Sequence, residues 1–240
     1  TTLPVALGRL QAQGDIRRIS TNGRLDRQRY QYALWRPNPL AKFKMSDEQV
    51  NLEVLRRYFT WIGPATIAES QTFSGLGVKA TRAAIDALKL VAFEGDKWML
   101  PEHRDEFESF KIPKQAHYTL VSGIDGLTLF RQDVKGLLDA SDFAREVYAD
   151  KGLVKLGSLD FLYSHTIFDR GRLIGLWEFD LEGNAIEWAS FIPKNKELLA
   201  AVARTEEYVR TQLGDARGFS LDSPKSRAPR IQALRKAAGR

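Results

Sequence analysis

The sequence predicts an α+β protein, and three observations carry that prediction. Residues 45–101 read as helix, short helix, helix and hairpin, in that order. Residues 3–35 read as a helix followed by a long hairpin. Beyond residue 160, three strand-like runs separated by turn residues precede one amphipathic helical stretch. The first order is that of a winged helix-turn-helix, and the second is that of the latter part of another. The third describes a β-barrel-like unit, or a sheet covered by a helix. The expected organisation is tandem winged-helix modules followed by a C-terminal β-barrel-like domain. Residues 1–40 form part of one winged helix, 41–101 a complete one, 102–213 the barrel-like domain and 214–240 a basic tail.

In residues 3–13, Val5, Leu7 and Leu10 share one side of a helix that Gly14 ends. A strand at 15–20, the hairpin signal Asn22-Gly23 and a returning strand at 30–35 follow, with Tyr30, Tyr32 and Leu34 alternating. The chain starts at Thr1-Thr2 rather than with methionine, so the first helices of this module are expected upstream of it. Pro37-Asn38-Pro39 reads as a linker.

The complete module opens with Asp47–Ile62, where Val50, Leu52, Val54, Leu55, Tyr58, Phe59 and Ile62 fall near helical spacing. Ser46 is its N-cap, and Gly63-Pro64 stops it because proline restricts the residue before it and cannot continue the helix. Thr66 caps a short helix through Phe73, with Glu69 as capping-box partner. Gly75 and Gly77 make the turn into a third helix, Val78–Leu88. Val78, Ile85 and Leu88 are expected to face inward, and Lys79, Thr81, Arg82 and Asp86 outward. Strands at 90–93 and 97–100, joined by Glu94-Gly95-Asp96, form the wing. A third helix so placed can enter the major groove while the wing touches phosphates. Winged helices also serve as protein–protein modules, and here the outward cations number only Lys79, Arg82 and Lys89.

Residues 102–114 are polar, 117–122 are strand-like and 142–148 read as a short helix. Three strands follow at 161–168, Arg172–Asp180 and 185–191, turned by Asp169-Arg170-Gly171 and by residues 181–184. Strict alternation puts Leu173, Gly175, Trp177 and Phe179 on one face, and Arg172, Ile174, Leu176 and Glu178 on the other. Residues 194–212 are the covering helix. Everything after Gly214 is polar, basic and proline-containing, which predicts a flexible tail or extended arm.

Composition adds constraints. A chain of 240 residues can bury one large or two small cores. Net charge is +6 with a pI near 9.5. The excess sits at the ends: Arg9, Arg17, Arg18, Arg24, Arg27 and Arg29 near the start, then Arg217, Lys225, Arg227, Arg230, Arg235, Lys236 and Arg240. That bias favours a polyanionic partner. With no cysteine and three widely spaced histidines, His103, His117 and His165, neither a metal site nor a cofactor is expected. No membrane-spanning run or signal peptide is visible, which points to a cytoplasmic, nucleoid-associated protein.

The runs LRRYFTWIGPAT at 55–66, FSGL at 73–76 and HTIFDRGRLIGLW at 165–177 resemble the bacterial winged-helix DNA glycosylases associated with repair of interstrand crosslinks and bulky alkyl adducts. The resemblance covers roughly residues 3–213. It implies tandem winged helices, a C-terminal β-barrel, and a monomer that acts on double-stranded, damaged DNA. The activity it implies is hydrolysis of the N-glycosidic bond of an alkylated or crosslinked base. The family's catalytic signature is glutamine, an aliphatic residue, then aspartate or glutamine, in the N-terminal winged helix. Gln11-Ala12-Gln13 matches that string but lies at a helix end in a different module, and residues at i and i+2 do not face each other. The catalytic residues are therefore unassigned. Glu69, Asp86, Asp125, Asp160 and Asp169 are candidate acids, of which Glu69 reads as a cap and Asp169 as a turn residue.

Arg56, Arg57, Lys79 and Arg82 of the winged helix, with His165, Arg170 and Arg172 around the hairpin, are the expected DNA contacts. The alternatives are a non-enzymatic winged-helix regulator, which would dimerise on paired half-sites, and a protein-binding module.

Overall fold

The computed structural model describes residues 2–20, 30–131, 133–219 and 222–239. Helix α1 (Thr2–Ala12) leads into strands β1 (Ile16–Ser20) and β2 (Tyr30–Leu34), which pair antiparallel with Ile16 opposite Leu34. The Asn22-Gly23 turn lies outside the described residues. Gly14, at φ 74°, ends α1 in the left-handed region that glycine tolerates. The linker is tied back here, because the Asn38 side-chain amide donates to Gln13 O and to Asp15 Oδ1. No residue of α1 is buried, and its apolar side, with Leu3 and Val5, faces solvent.

The next elements are α2 (Asp47–Ile62), β3 (Ala65–Thr66), α3 (Ile67–Ser74), α4 (Val78–Leu88), β4 (Val91–Ala92) and β5 (Lys97–Met99). The caps act as the sequence predicts. Ser46 and Gln49 form one capping box and Thr66 and Glu69 another, each satisfying two otherwise orphaned N–H groups. β5 is the central strand of a small sheet ordered β3-β5-β4. Leu55, Tyr58, Phe59 and Ile62 of α2 meet Ala84, Ile85 and Leu88 of α4 in one core. Two expectations on α4 are corrected. Val78 is exposed, and Thr81 is buried. The inward stripe is Thr81, Ala84, Ile85 and Leu88, at i, i+3, i+4 and i+7. Thr81 can enter it because its hydroxyl donates to Gly77 O.

A 3-10 turn at Pro101–His103 and α5 (Arg104–Ser109) lead to β6 (Tyr118–Val121), α6 (Gly126–Leu129) and the hairpin β7 (Glu146–Tyr148)–β8 (Leu153–Lys155). Then come β9 (His165–Asp169), β10 (Arg172–Asp180), β11 (Ala185–Ser190), α7 (Lys196–Tyr208) and α8 (Pro224–Ala237). The expected barrel does not close. β11-β10-β9-β6 is an open antiparallel sheet whose edges, β11 and β6, do not pair with each other. Closure is unnecessary because each face is covered separately. Ile174, Trp177 and Phe179 pack with Leu198 and Val202 of α7 on one side. Leu173 and Leu176 pack with Leu156, Leu162 and Leu234 on the other.

That division corrects the strict alternation. A bulge between Leu173 and Gly175, in the pairing of β10 with β9, moves Leu173 to the face of Leu176 and Ile174 to the face of Trp177. Residues 142–148 are not a helix: Val147 and Tyr148 pair with Val154 and Leu153 as β7 and β8. The tail is not an arm either. Ser223 caps α8, Pro224 occupies a first-turn position where no N–H is required, and Arg227, Arg230, Ile231 and Leu234 are buried. Among the described residues, no helix is long and apolar enough to cross a membrane.

Candidate nucleic-acid interface

The buried stripe of α4 fixes what its opposite side presents. Lys79 and Arg82 stand outward, and Lys89 closes the helix in the left-handed region at φ 53°. None of the three makes an ion pair among the described residues. Asp86 shares the face, one turn beyond Arg82, without pairing to it. The N-terminus of α4 is also open. Its N-cap, Gly77, has no side chain to accept from the first-turn N–H groups, so these point outward beside Lys79. An open helix N-terminus flanked by unpaired cations can hold a phosphate. Between α4, Ile67 at the start of α3 and Trp98 of β5 runs a groove of about 390 Å³, edged by Arg82, Asp86 and Lys89.

The remaining cations expected from the sequence are differently placed. Arg57 Nε donates to Glu53 Oε1 at 2.8 Å, and Arg56 lies 3.7 Å from Glu53 and 4.0 Å from Glu102. Such exposed pairs are weak and exchange readily. Lys97 of β5 reaches Asp133 at 3.5 Å, tying that strand to the C-terminal part of the chain. Arg170 and Gly171, at φ 51° and 86°, make the two-residue β9–β10 turn. Arg170 grips Asp169 through Nε at 2.9 Å and Nη2 at 2.7 Å, and donates Nη1 to Pro113 O and Lys114 O. The Asp169 carboxyl is held below the usual range, chiefly by that Arg170 hydrogen bond. Arg172 pairs with Asp139.

His165 is the clearest correction. It begins β9, five residues before Arg170 and therefore about 16 Å of strand from the turn. It is 1% exposed and stacks on Trp177 with ring centres 4.3 Å apart. Its Nδ1 accepts from Gly123 N–H at 2.8 Å, and Nε2 lies 3.3 Å from Ala216 O. Burial pushes its pKa down, against the opposing pull of Glu178, so a neutral ring with the proton on Nε2 satisfies both neighbours. It offers DNA no surface.

The other candidates do not converge on a reactive centre. Gln11 lies in the last turn of α1, and Gln13 stands beyond it with its carbonyl bound by Asn38. Glu69 Oε2 accepts from Thr66 N–H, Asp125 Oδ1 accepts from Leu127 N–H, and Asp86 and Asp160 are exposed singly. No group of three or more metal-ligating side chains gathers among the described residues.

Sequence reading missed a cluster of buried ions under α8. Arg227, 0% exposed, clamps Asp215 with Nη1 at 2.7 Å and Nη2 at 2.9 Å, and also donates to Phe179 O and Ala216 O. Arg230 Nε donates to Glu178 Oε1 at 2.6 Å and Nη2 to Asp222 Oδ1 at 2.8 Å. Nearer the surface, Arg235 binds Asp180 and Glu187. Burial raises the Asp215 pKa, but hydrogen bonds from Arg227 and Arg217 outweigh it and hold the carboxyl below its ordinary value. The available signal was Glu178 in an otherwise apolar strand, together with residues 227, 230, 231 and 234 at helical spacing.

Fold and surface together define a mixed α+β protein with an α4 face whose cations make no ion pair among the described residues, and a C-terminal sheet locked by buried ion pairs. A family model described as DNA glycosylase AlkZ-like matches residues 3–219, and the chain belongs to that family. Among solved structures it is similar to Streptomyces sahachiroi DNA glycosylase AlkZ, at 16% identity and a TM-score of 0.49, over 84% of this chain and 54% of that one. The chain thus spans about half the length of that protein. No curated protein matches it.

Proposed function

We propose that this chain holds double-stranded DNA, damaged DNA included, for a DNA-repair glycosylase. Residues 45–101 act as a winged helix with α4 toward the major groove, residues 1–40 belong to a second such module, and Arg170 and Arg172 flank the duplex at the β9–β10 turn. The observation that carries this reading is the α4 face: Lys79, Arg82 and Lys89 make no ion pair among the described residues, and Lys79 stands beside the uncapped N-terminus of the helix. Family membership supplies the class of reaction. In that reaction water adds to the sugar carbon as the glycosidic bond breaks, and the base departs with the bonding electrons. An N-alkylated purine is already cationic and leaves readily, so the demand on the protein is to place the water and stabilise an oxocarbenium-like sugar. The side chains that perform this step are unassigned, and DNA binding by this chain is expected to outlast catalysis.

The deciding experiment measures release of an N7-alkylated base from duplex DNA, with affinity followed in parallel at two salt concentrations. Salt-sensitive binding without release supports a DNA-holding role with chemistry supplied elsewhere. Release would place the catalytic group within residues 1–240 and direct mutation to Gln11, Gln13 and the acids named above. Unchanged affinity in both Arg82→Glu and Arg172→Glu would sink the proposed interface. Dimerisation with a preferred sequence would favour a regulator instead.

A further inference from the structure

A cavity of about 370 Å³ lies between α8, the β10–β11 sheet face and β7, a size typical of small-molecule sites. Its roof is α8, which lies beyond the residues that the family model matches. The space exists because α8 turns Ala233 and Ala237, one turn apart, toward a floor containing Leu176. At one side Arg145 stacks over the Phe191 ring, 4.5 Å from its centre.

Two largely buried residues lining this cavity each keep one donor atom open to it and without a hydrogen-bond partner among the described residues. Ser164 is 5% exposed, and its hydroxyl has no hydrogen-bond partner among the described residues. Arg230 is 6% exposed; Nε and Nη2 are bound to Glu178 and Asp222, whereas Nη1 makes no hydrogen bond among the described residues. Both groups can donate. Neither donor atom is sealed from solvent, so each is free to donate to an oxygen that enters the cavity in place of water. The cations around it are already matched, Arg230 by Glu178 and Asp222 and Arg145 by Asp142 at 2.7 Å, and the exposed carboxylate of Glu146 also lines the cavity. An additional anion would enter without a counter-charge, whereas a neutral carbonyl would not disturb the balance.

We infer that this cavity binds a small neutral ring compound through a carbonyl oxygen that accepts from Ser164 Oγ and Arg230 Nη1. The ring lies against Leu176, Leu234 and the two alanines of α8. The site is separate from the α4 face, and its test contains no DNA, so it stands or falls apart from the DNA reading.

The test titrates benzamide, and benzoate as its charged counterpart, into the full chain while amide and methyl NMR signals are followed. Saturable shifts confined to this cavity are expected for benzamide, on the order of millimolar for so small a ligand. Benzoate should bind at least about tenfold more weakly, since its charge would be buried unpaired. Ala233→Leu fills the void without lowering helix propensity much and should abolish the shifts. Ala237→Leu repeats that block near the end of α8, and Ser164→Ala removes one donor without touching α8, weakening binding about tenfold for one lost hydrogen bond. Shifts that do not saturate, that survive both filled variants, or that are as strong with benzoate would overturn the inference.

Discussion

Two helices of this molecule, α4 and α8, carry arginines and lysines and use them in opposite ways. On α4, Lys79, Arg82 and Lys89 project from a helix whose buried face is satisfied without them, and no carboxylate among the described residues pairs with them. Under α8, Arg227 and Arg230 are buried and matched by Asp215, Asp222 and Glu178, so their charge is internal to the fold. The comparison shows that a cation's availability to a polyanion depends on which carboxylates the fold delivers to it. The basic C-terminus that a charge count assigns to phosphate is largely a structural clamp.

The strongest way to break this comparison is Arg227→Ala. Removal of that guanidinium leaves Asp215 buried without its principal partner and takes a second positive charge from beside Asp222, which should cost about 3–5 kcal/mol in urea unfolding. A loss below about 1 kcal/mol would mean that the cluster is not a clamp. Next in size is the double variant Lys79→Glu/Arg82→Glu. Duplex affinity measured by fluorescence anisotropy at low salt should fall on the order of 100-fold, with a shallower salt dependence. The unfolding midpoint should stay put, since both side chains are exposed.

A pH series sharpens the contrast on the buried side. The His165 pKa is depressed in the folded state, so the unfolded chain binds the proton first as pH falls. Its stabilising contribution is whole above about pH 6.5 and is lost between there and the lower folded value, at up to about 1.4 kcal/mol per pH unit. Thermal melts from pH 7.5 to 5.5 should show that decline, and His165→Phe should flatten it. The smallest effect belongs to Arg57→Ala. Its exposed pair with Glu53 should contribute no more than about 0.5 kcal/mol to stability, and its removal should change DNA affinity less than about twofold. A larger loss of affinity would move the interface from α4 toward α2.

Local signals explain which elements were legible. α2 was readable to the residue because Ser46, the apolar spacing and Gly63-Pro64 specify its start, face and stop within the segment. β10 was readable as a span because Gly171 and Asp180 bound a continuous apolar run. Its facing was not, since the bulge beyond Leu173 depends on how β9 lies beside it. α8 was obscured because Pro224 and Pro229 read as breakers and its buried positions include two arginines, which look like surface until their acids are in place. Among the expected DNA contacts, Lys79 and Arg82 lie where the sequence put them, on the outer side of α4. His165 does not, because the same strand that leads to the exposed turn begins in the core.

The sequence by itself determined the caps of α2 and α3, the order of elements through the module at 45–101, the turns of the C-terminal hairpins and the amphipathic face of α2. These follow from backbone satisfaction and apolar periodicity, which act over a few residues. Only the tertiary structure decided that the sheet stays open, that α8 covers it, and which cations remain unpaired. Those outcomes depend on partners distant in sequence, such as Arg230 on Glu178 across 52 residues, and a charge has no fixed role until its partner is known.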